Sequence, residues 1–159
     1  MKKIFSLILC LILMFTCFGY QSSAVSENNV QPKVIDFSLT TPNYVPENES
    51  RATGLILFYT LNLSVSGTTL TIRAETYCNA EVVKSGFKNF VVQRKKASSS
   101  IWSDYYDYGD LYNDTYAASI TTTLSVVSGY QYRVTCKHYA KKSLLVTQSV
   151  SNTSNIVTV

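Results

Sequence analysis

The stretch that decides the fold is YQYRVTCKHY, residues 130–139. Successive side chains of a β-strand point to opposite faces, so a strand with one face in a core alternates apolar and polar residues. The pattern therefore predicts a strand that buries Cys136 in a hydrophobic core. Its two faces are Tyr132, Val134 and Cys136 on one side, and Arg133, Thr135 and Lys137 on the other.

Similar short patterns extend over most of the chain. Val, Thr, Tyr and Ile dominate them, which is typical of strands, and clusters of Ser, Gly and Asn separate them. Apolar residues at helical spacing are absent. The sequence predicts an all-β sandwich domain of about seven antiparallel strands over residues 54–159. The predicted strands lie near residues 55–65, 70–78, 87–94, 116–126, 130–139, 144–150 and 155–159.

Residues 1–24 are predicted to be a secretory signal peptide. Lys2 and Lys3 precede an apolar run over residues 4–18, and a small residue at Ala24 suits a cleavage site after it. The run of about 15 residues is short for a membrane span, which needs about 20, so a signal anchor is the weaker alternative. Lipid attachment at Cys17 is weaker still, because the residues before it are bulky.

Cleavage changes the charge of the mature chain. The full chain has 14 Lys and Arg against 10 Asp and Glu, and losing Lys2 and Lys3 leaves 12 against 10, a net charge of +2. This excess is too small to indicate nucleic-acid binding. Residues 25–53, which contain all three prolines, are predicted to be a polar leader or linker, with one optional edge strand at residues 34–37.

Cleavage also removes Cys10 and Cys17 and leaves Cys78 and Cys136. Cys78 shares the apolar face of its strand with the alternating residues of 70–76, so both remaining cysteines point into the core. In an oxidising extracellular environment one pairing is possible, and we predict one inter-sheet disulfide. Closing a loop of about 60 residues would stabilise the fold by about 4 kcal/mol. The alternative is two independent buried thiols.

The layout resembles the immunoglobulin and fibronectin type III folds over residues 55–159. The resemblance rests on the strand count, on Cys78 and Cys136 in second-strand and sixth-strand positions, and on the segment VVSGYQYRVTC, residues 126–136. One departure is that Trp102 follows the third strand instead of lying inside it. The chain also resembles small uncharacterised secreted proteins of Gram-positive bacteria, from which no activity carries over.

Within that segment, Val126, Gly129 and Tyr132 are similar to the tyrosine corner of these folds. The resemblance implies a hydrogen bond from the phenol of Tyr132 to backbone upstream, where the chain crosses between sheets. Tyr132 lies four residues before the cysteine instead of the family's two.

The segment that begins at Trp102 is the candidate binding site, and it is predicted to be a loop. Aromatic rings beside polar groups suit protein or carbohydrate surfaces. Two other interpretations stay open: a crossover connection whose tyrosines pack on the sandwich, and a calcium site built from aspartates, although the EF-hand spacing is absent. The candidate residues are Trp102, Tyr105, Tyr106, Tyr108, Asp107 and Asp110.

Residues suited to catalysis are few. His138 is the single histidine, and no nucleophile motif accompanies it, so we expect a structural residue near the end of a strand. No metal site and no cofactor are predicted, because one histidine and two paired cysteines leave too few ligands. The basic clusters at residues 94–96 and 141–142 are expected to be solvated turns, with attraction to anionic wall polymers or membrane surfaces as the alternative.

These features predict a secreted, non-catalytic binding module, extracellular or associated with the cell surface. Its expected partner is an extracellular protein or polysaccharide of unknown identity, with no nucleic acid and no stable membrane span after cleavage. The alternative function is a structural envelope or matrix domain that self-associates through strand edges. A small secreted hydrolase is the least favoured class.

Overall fold

The structure, a computed structural model, describes residues 31–42 and 54–159. The predicted signal peptide, with Cys10 and Cys17, lies outside the described residues. None of the described residues forms a helix long and apolar enough to cross a membrane. The described residues form ten β-strands: β1 (Val34–Thr40), β2 (Ile56–Ser66), β3 (Thr69–Cys78), β4 (Lys84–Lys96), β5 (Ser103–Asp107), β6 (Leu111–Asn113), β7 (Ala117–Ser125), β8 (Tyr130–Lys141), β9 (Thr147–Thr153) and β10 (Val157–Thr158).

The strands form two antiparallel sheets. The four-stranded sheet has the order β1-β7-β3-β2. The six-stranded sheet has the order β10-β8-β4-β5, with β6 also paired to β4 and β9 paired to β8. The chain passes from one sheet to the other after β3, after β6 and again after β7, so consecutive segments of sequence lie in opposing layers.

The hydrophobic core lies between the two sheets. Each inner strand contributes alternate side chains, as the period-2 pattern of the sequence requires. The all-β sandwich prediction is confirmed. The core side chains include Leu61, Leu63, Leu70, Ile72, Ala74, Ile120 and Leu124 from the four-stranded sheet, and Phe87, Phe90, Val92, Tyr132, Val134 and Cys136 from the six-stranded sheet.

Ten strands replace the predicted seven. The strands beyond those seven are β1, which contains the optional edge strand predicted at residues 34–37, and two short ones, β5 and β6, inside the tyrosine-rich segment that was predicted to be a loop. Both pair with β4 through backbone groups, and such pairing needs no apolar alternation in the paired segment. The predicted strand at residues 144–150 begins only at Thr147, because residues 142–146 form the turn between β8 and β9.

The tyrosine corner is present where the chain crosses from β7 to β8. The buried Tyr132 hydroxyl donates to the Val127 carbonyl oxygen over 3.3 Å and accepts from the Val127 backbone N–H over 2.9 Å. One phenol therefore satisfies both backbone groups of a residue at the crossover.

Replacing Tyr132 with Phe is expected to lower the free energy of unfolding by about 1–2 kcal/mol, because both Val127 groups lose their partner while the ring packing stays. Urea titration of the purified protein measures this change. Tyr106→Phe is the matched control, since Tyr106 also packs against the core but is not part of the corner. Equal losses in the two variants would contradict a specific role for the corner.

The predicted disulfide is not present in the structure, where Cys78 and Cys136 are buried free thiols. Cys136 belongs to the main core, whereas Cys78 packs in a smaller cluster with Ala140. Ala140 lies four residues beyond Cys136 on β8, a distance of about 13 Å along a strand. Alternation correctly placed both thiols on inner faces, but it carries no information about their offset along the strands.

Candidate functional site

The predicted binding residues do not form one surface. Trp102 precedes β5 and lies on the outer side of the six-stranded sheet, between cationic side chains of β4 and β8. Tyr105, Tyr106 and Tyr108 instead pack against the core between the sheets. The structure thus separates the tryptophan from the three tyrosines.

Two of those tyrosines connect the sheets. The Tyr105 hydroxyl donates to the Ser125 carbonyl oxygen over 2.9 Å, and the Tyr108 hydroxyl hydrogen-bonds to Thr122 Oγ1 over 2.9 Å. Both partners lie on β7 of the opposite sheet. Burial raises the pKa of both phenols, so they remain neutral donors. This geometry favours the interpretation in which the tyrosines pack on the sandwich.

The candidate aspartates accept hydrogen bonds from nearby groups of the same sheet. Asp107 accepts a hydrogen bond from the Gly109 N–H over 2.7 Å. Asp110 accepts from the Asn89 N–H over 2.9 Å and from the Tyr112 hydroxyl over 2.7 Å. Both bonds lower the pKa of Asp110, and the bond from the Asn89 backbone has the larger effect. Among the described residues, no three His, Cys, Asp or Glu side chains come together as a metal-binding group.

The outer side of the six-stranded sheet collects positive charge along β4 and β8. Residues that pair directly across two strands project to the same side. Lys84 pairs with Lys141, and Lys88 pairs with Lys137, which puts like charges directly opposite each other. Such pairs are destabilising in a sheet. We call the following six side chains the cationic face: Lys84, Lys88, Lys95, Arg133, Lys137 and Lys141.

Aromatic rings lie among these cations. The Arg133 guanidinium is 4.3 Å from the centre of the Trp102 ring, and the Lys95 ammonium is 5.6 Å from it. At the other end of the face, the Lys88 ammonium lies 4.1 Å from the centre of the Tyr139 ring. Tyr112 meets the Tyr139 ring edge to face at 5.3 Å. Cation–π contacts therefore help to position Arg133, Lys95 and Lys88 on the face.

A row of hydroxyl groups borders the cationic face. The outward residues of β9 are exposed and all carry hydroxyls. Between this row and β4 lies a shallow depression of about 190 Å³, lined by Asn89, Lys137 and Asn152 among others. Cations beside hydroxyl donors suit a ligand that carries both negative charge and hydroxyl or ether oxygens. The row consists of Thr147, Ser149, Ser151 and Thr153.

His138 lies near the end of β8, where the sequence placed it, and its side chain is fully buried in the core. Thr76 Oγ1 donates to the Gly86 carbonyl oxygen over 3.1 Å, so it accepts from His138 Nδ1–H over 2.8 Å. His138 Nε2 then accepts from Asn152 Nδ2 over 3.2 Å and faces Cys136 Sγ at 3.8 Å. The network satisfies a neutral imidazole with its proton on Nδ1.

This Cys–His–Asn cluster does not activate a nucleophile. Burial raises the pKa of Cys136 to about 12 and lowers the pKa of His138 to about 4. A reactive cysteine needs a lowered pKa and a partly exposed, electropositive environment. The cluster therefore holds a neutral thiol beside a neutral imidazole, and its role in the fold is packing and hydrogen bonding.

Sequence reasoning missed the cationic face. The spacing signal was present, because Arg133, Lys137 and Lys141 fall on one side of the strand by period-2 counting. The pairing of β4 with β8, which puts Lys84 and Lys88 beside them, is a tertiary fact that local patterns do not contain. Of these cations, only those in the basic clusters at residues 94–96 and 141–142 stood out in the sequence, and both clusters were expected to be solvated turns.

No family model matches the sequence, and no curated protein matches it. Among solved structures, the chain is similar to ACE19, the collagen-binding subdomain of the Enterococcus faecalis surface protein ACE. The two share 8% sequence identity, the alignment covers 66% of this chain and 97% of that chain, and the TM-score is 0.29.

Proposed function

We propose that the protein is an exported, non-catalytic binding module whose cationic face binds an anionic, hydroxyl-rich polymer of the cell surface. The signal-peptide pattern of residues 1–24 supports export, and the inactive protonation states of Cys136 and His138 support a non-catalytic role. The observation that carries the proposal is the concentration of six cations on the outer side of one sheet.

The two outer surfaces of the sandwich differ in charge. The outward residues of β3 and β7 include Arg73 and Glu75, one charge of each sign, among threonines and serines. A solubility requirement alone would distribute cations over both surfaces. Concentrating them on one sheet, with two opposed lysine pairs, has a cost in stability that binding an anionic partner offsets.

The spacing of the cations suits a repeating ligand. Arg133, Lys137 and Lys141 recur at every fourth residue of β8, about 13 Å apart along a strand. The acidic residues of the same sheet lie at its β5–β6 margin, where Asp104 is bonded to Gln93 and Asp114 to Lys84. An extended polymer with regularly spaced carboxylates or phosphates can therefore follow β8 and the hydroxyl row of β9 and avoid those acids.

The double variant Lys88→Gln, Lys137→Gln is expected to weaken binding to polygalacturonate about tenfold, because it removes two neighbouring charges from the centre of the face. The free energy of unfolding should stay unchanged or rise slightly, since one like-charge pair is relieved. Isothermal titration calorimetry at several salt concentrations measures the affinity, which should fall as salt screens the contacts.

Arg73→Gln is the matched control, because it removes one exposed cation from the outer surface of the opposite sheet. It should leave polygalacturonate binding unchanged, and neutral dextran should bind neither variant nor the original chain. Equal affinity of the Lys88→Gln, Lys137→Gln variant and the original chain would overturn the proposal. Tighter binding of duplex DNA than of polygalacturonate would overturn the assignment to a surface polymer.

The alternative of self-association through strand edges is weakened along β2. The Asn155 side-chain amide donates to the Leu63 carbonyl oxygen and accepts from the Leu63 N–H, each over 2.9 Å. Gln148 Oε1 accepts from the N–H groups of Leu55 and Ile56. Side chains thus occupy backbone groups that an added strand would need.

A further inference from the structure

The turn between β8 and β9 carries a hydrophobic tip formed by Leu144, Leu145 and Val146. Leu144 is 84% exposed and Leu145 is 91% exposed, the highest exposures among the large apolar side chains of the described residues. Single exposed apolar residues are normal, but consecutive ones at the most projecting part of a hairpin mark an interaction site.

The turn does not need leucines for its own folding. Lys142 N–H donates to the Val146 carbonyl oxygen over 2.9 Å, and Ser143 and Val146 exchange backbone hydrogen bonds at 3.4 Å. Leu144 and Leu145 occupy the central positions of this turn, where Gly, Asn, Asp, Pro and Ser normally occur. The turns that contain Gly67 and Gly129 follow that usual chemistry. The hydrophobic tip is the exception.

Cations lie directly below the tip. Lys141 is the last residue of β8 and Lys142 is the first residue of the turn, and Lys142 pairs with Glu81 over 2.7 Å with both side chains still exposed. The exposed Val83 lies beside them, since its N–H donates to the Lys141 carbonyl oxygen over 2.9 Å. The apolar side chains of the tip would meet the acyl chains of a bilayer, and the lysines that precede the tip would meet its anionic headgroups.

We propose that the hydrophobic tip inserts into the interface of a lipid bilayer that contains anionic headgroups, with Lys141 and Lys142 at headgroup level. A protein partner fits less well, because a specific interface needs about 800 Å² per partner and a complementary groove, whereas this is a convex tip of three side chains. The inserted side chains of residues 144–146 lie outside the cationic face, and Lys141 is the one cation that both sites share, so vesicle binding and polymer binding can be lost separately.

The test is co-sedimentation of the exported protein with vesicles of an equimolar mixture of phosphatidylglycerol and phosphatidylcholine. Leu144→Ser with Leu145→Asn should lower the partition coefficient at least about tenfold, because it removes the inserted surface. Folding should be unaffected, since both leucines are exposed and both replacements favour turns. Lys142→Gln should weaken binding to the mixed vesicles but not the weaker binding to pure phosphatidylcholine.

Ile101→Ser is the matched control, because Ile101 is 77% exposed in the turn between β4 and β5, at the opposite end of the six-stranded sheet. It should leave vesicle binding unchanged. Leu145→Trp in a Trp102→Phe background should give a blue-shifted emission on vesicle addition. Unchanged partitioning of the Leu144→Ser, Leu145→Asn variant would overturn the proposal, as would a dimer of the original chain that this variant converts to a monomer.

Discussion

Replacing Gly86 with Ala is expected to lower the free energy of unfolding by more than about 4 kcal/mol, the largest effect of any single substitution we anticipate in this chain. Gly86 lies in β4 with φ +153°, a backbone conformation that side chains rarely adopt. A Cβ atom there would be 2.0 Å from the Leu111 carbonyl oxygen and 2.9 Å from the Tyr112 Cα. Both obstacles are backbone, so β6 would have to separate from β4.

The damage would reach the core and the cationic face together. The Gly86 carbonyl oxygen accepts the Thr76 hydrogen bond that begins the His138 network. On the outer side, β6 presents Tyr112, whose ring packs against Tyr139 and lies 5.5 Å from the Lys84 ammonium. Gly86→Ala should therefore also weaken binding to polygalacturonate, through loss of ring positions rather than loss of charge.

Denaturant titration measures the stability loss, and amide hydrogen exchange of residues 111–113 shows whether β6 separates first. Gly67→Asn is the matched control, because Gly67 has φ +55° but nothing lies within 4 Å of a Cβ atom there. Asn tolerates that conformation, so the expected change is below about 1 kcal/mol. A Gly86→Ala protein as stable as the Gly67→Asn protein would contradict the close approach of β4 and β6.

The alternation of apolar and polar residues predicted the strands correctly wherever one face of a strand packs in the core. Alternation at residues 130–139 and 70–78 predicted β8 and β3 and the inward direction of Cys78 and Cys136. It could not predict the offset between the two thiols along the strands. Cys78 packs beside Ala140, which lies four residues beyond Cys136 on β8. The short strands β5 and β6 were missed because their pairing depends on β4, a long-range partner.

For the candidate site, composition drew attention to Trp102 but not to the cations that lie beside its ring. A segment rich in tyrosine and aspartate has the same sequence pattern whether its tyrosines face solvent or pack against the core of a β-sandwich. The difference depends on partners 14 to 20 residues away, Thr122 for Tyr108 and Ser125 for Tyr105. The lysines of the cationic face come from two strands that are far apart in sequence, as the pair Lys88 and Lys137 shows, and local patterns do not pair such strands.

The stability of the protein is expected to fall by about 3 kcal/mol as the pH drops from 7 to 4, because of His138. Burial lowers the pKa of this histidine from 6.5 to about 4 in the folded chain. Between these values the unfolded chain binds the proton and the folded chain does not. The stabilisation is thus complete above pH 6.5 and is lost as the pH falls toward the folded pKa.

The hydrogen bonds explain why protonation is unfavourable. With Nδ1–H donating to Thr76, the added proton must go on Nε2, which faces the Asn152 amide donor and the Cys136 thiol. Neither is a good acceptor for an imidazolium proton. The charge would also lie between the Tyr59 and Phe87 rings in a position with no solvent exposure.

Denaturant titrations at a series of pH values between 4 and 7 test this expectation. The chain has one histidine, so His138→Gln removes the group that titrates in this interval while its amide can still donate to Thr76. Subtracting the variant's profile removes the carboxylates, including Asp110 with its lowered pKa. The difference should have a slope of at most about 1.4 kcal/mol per pH unit. If both proteins lose stability equally, His138 is not buried as a neutral imidazole.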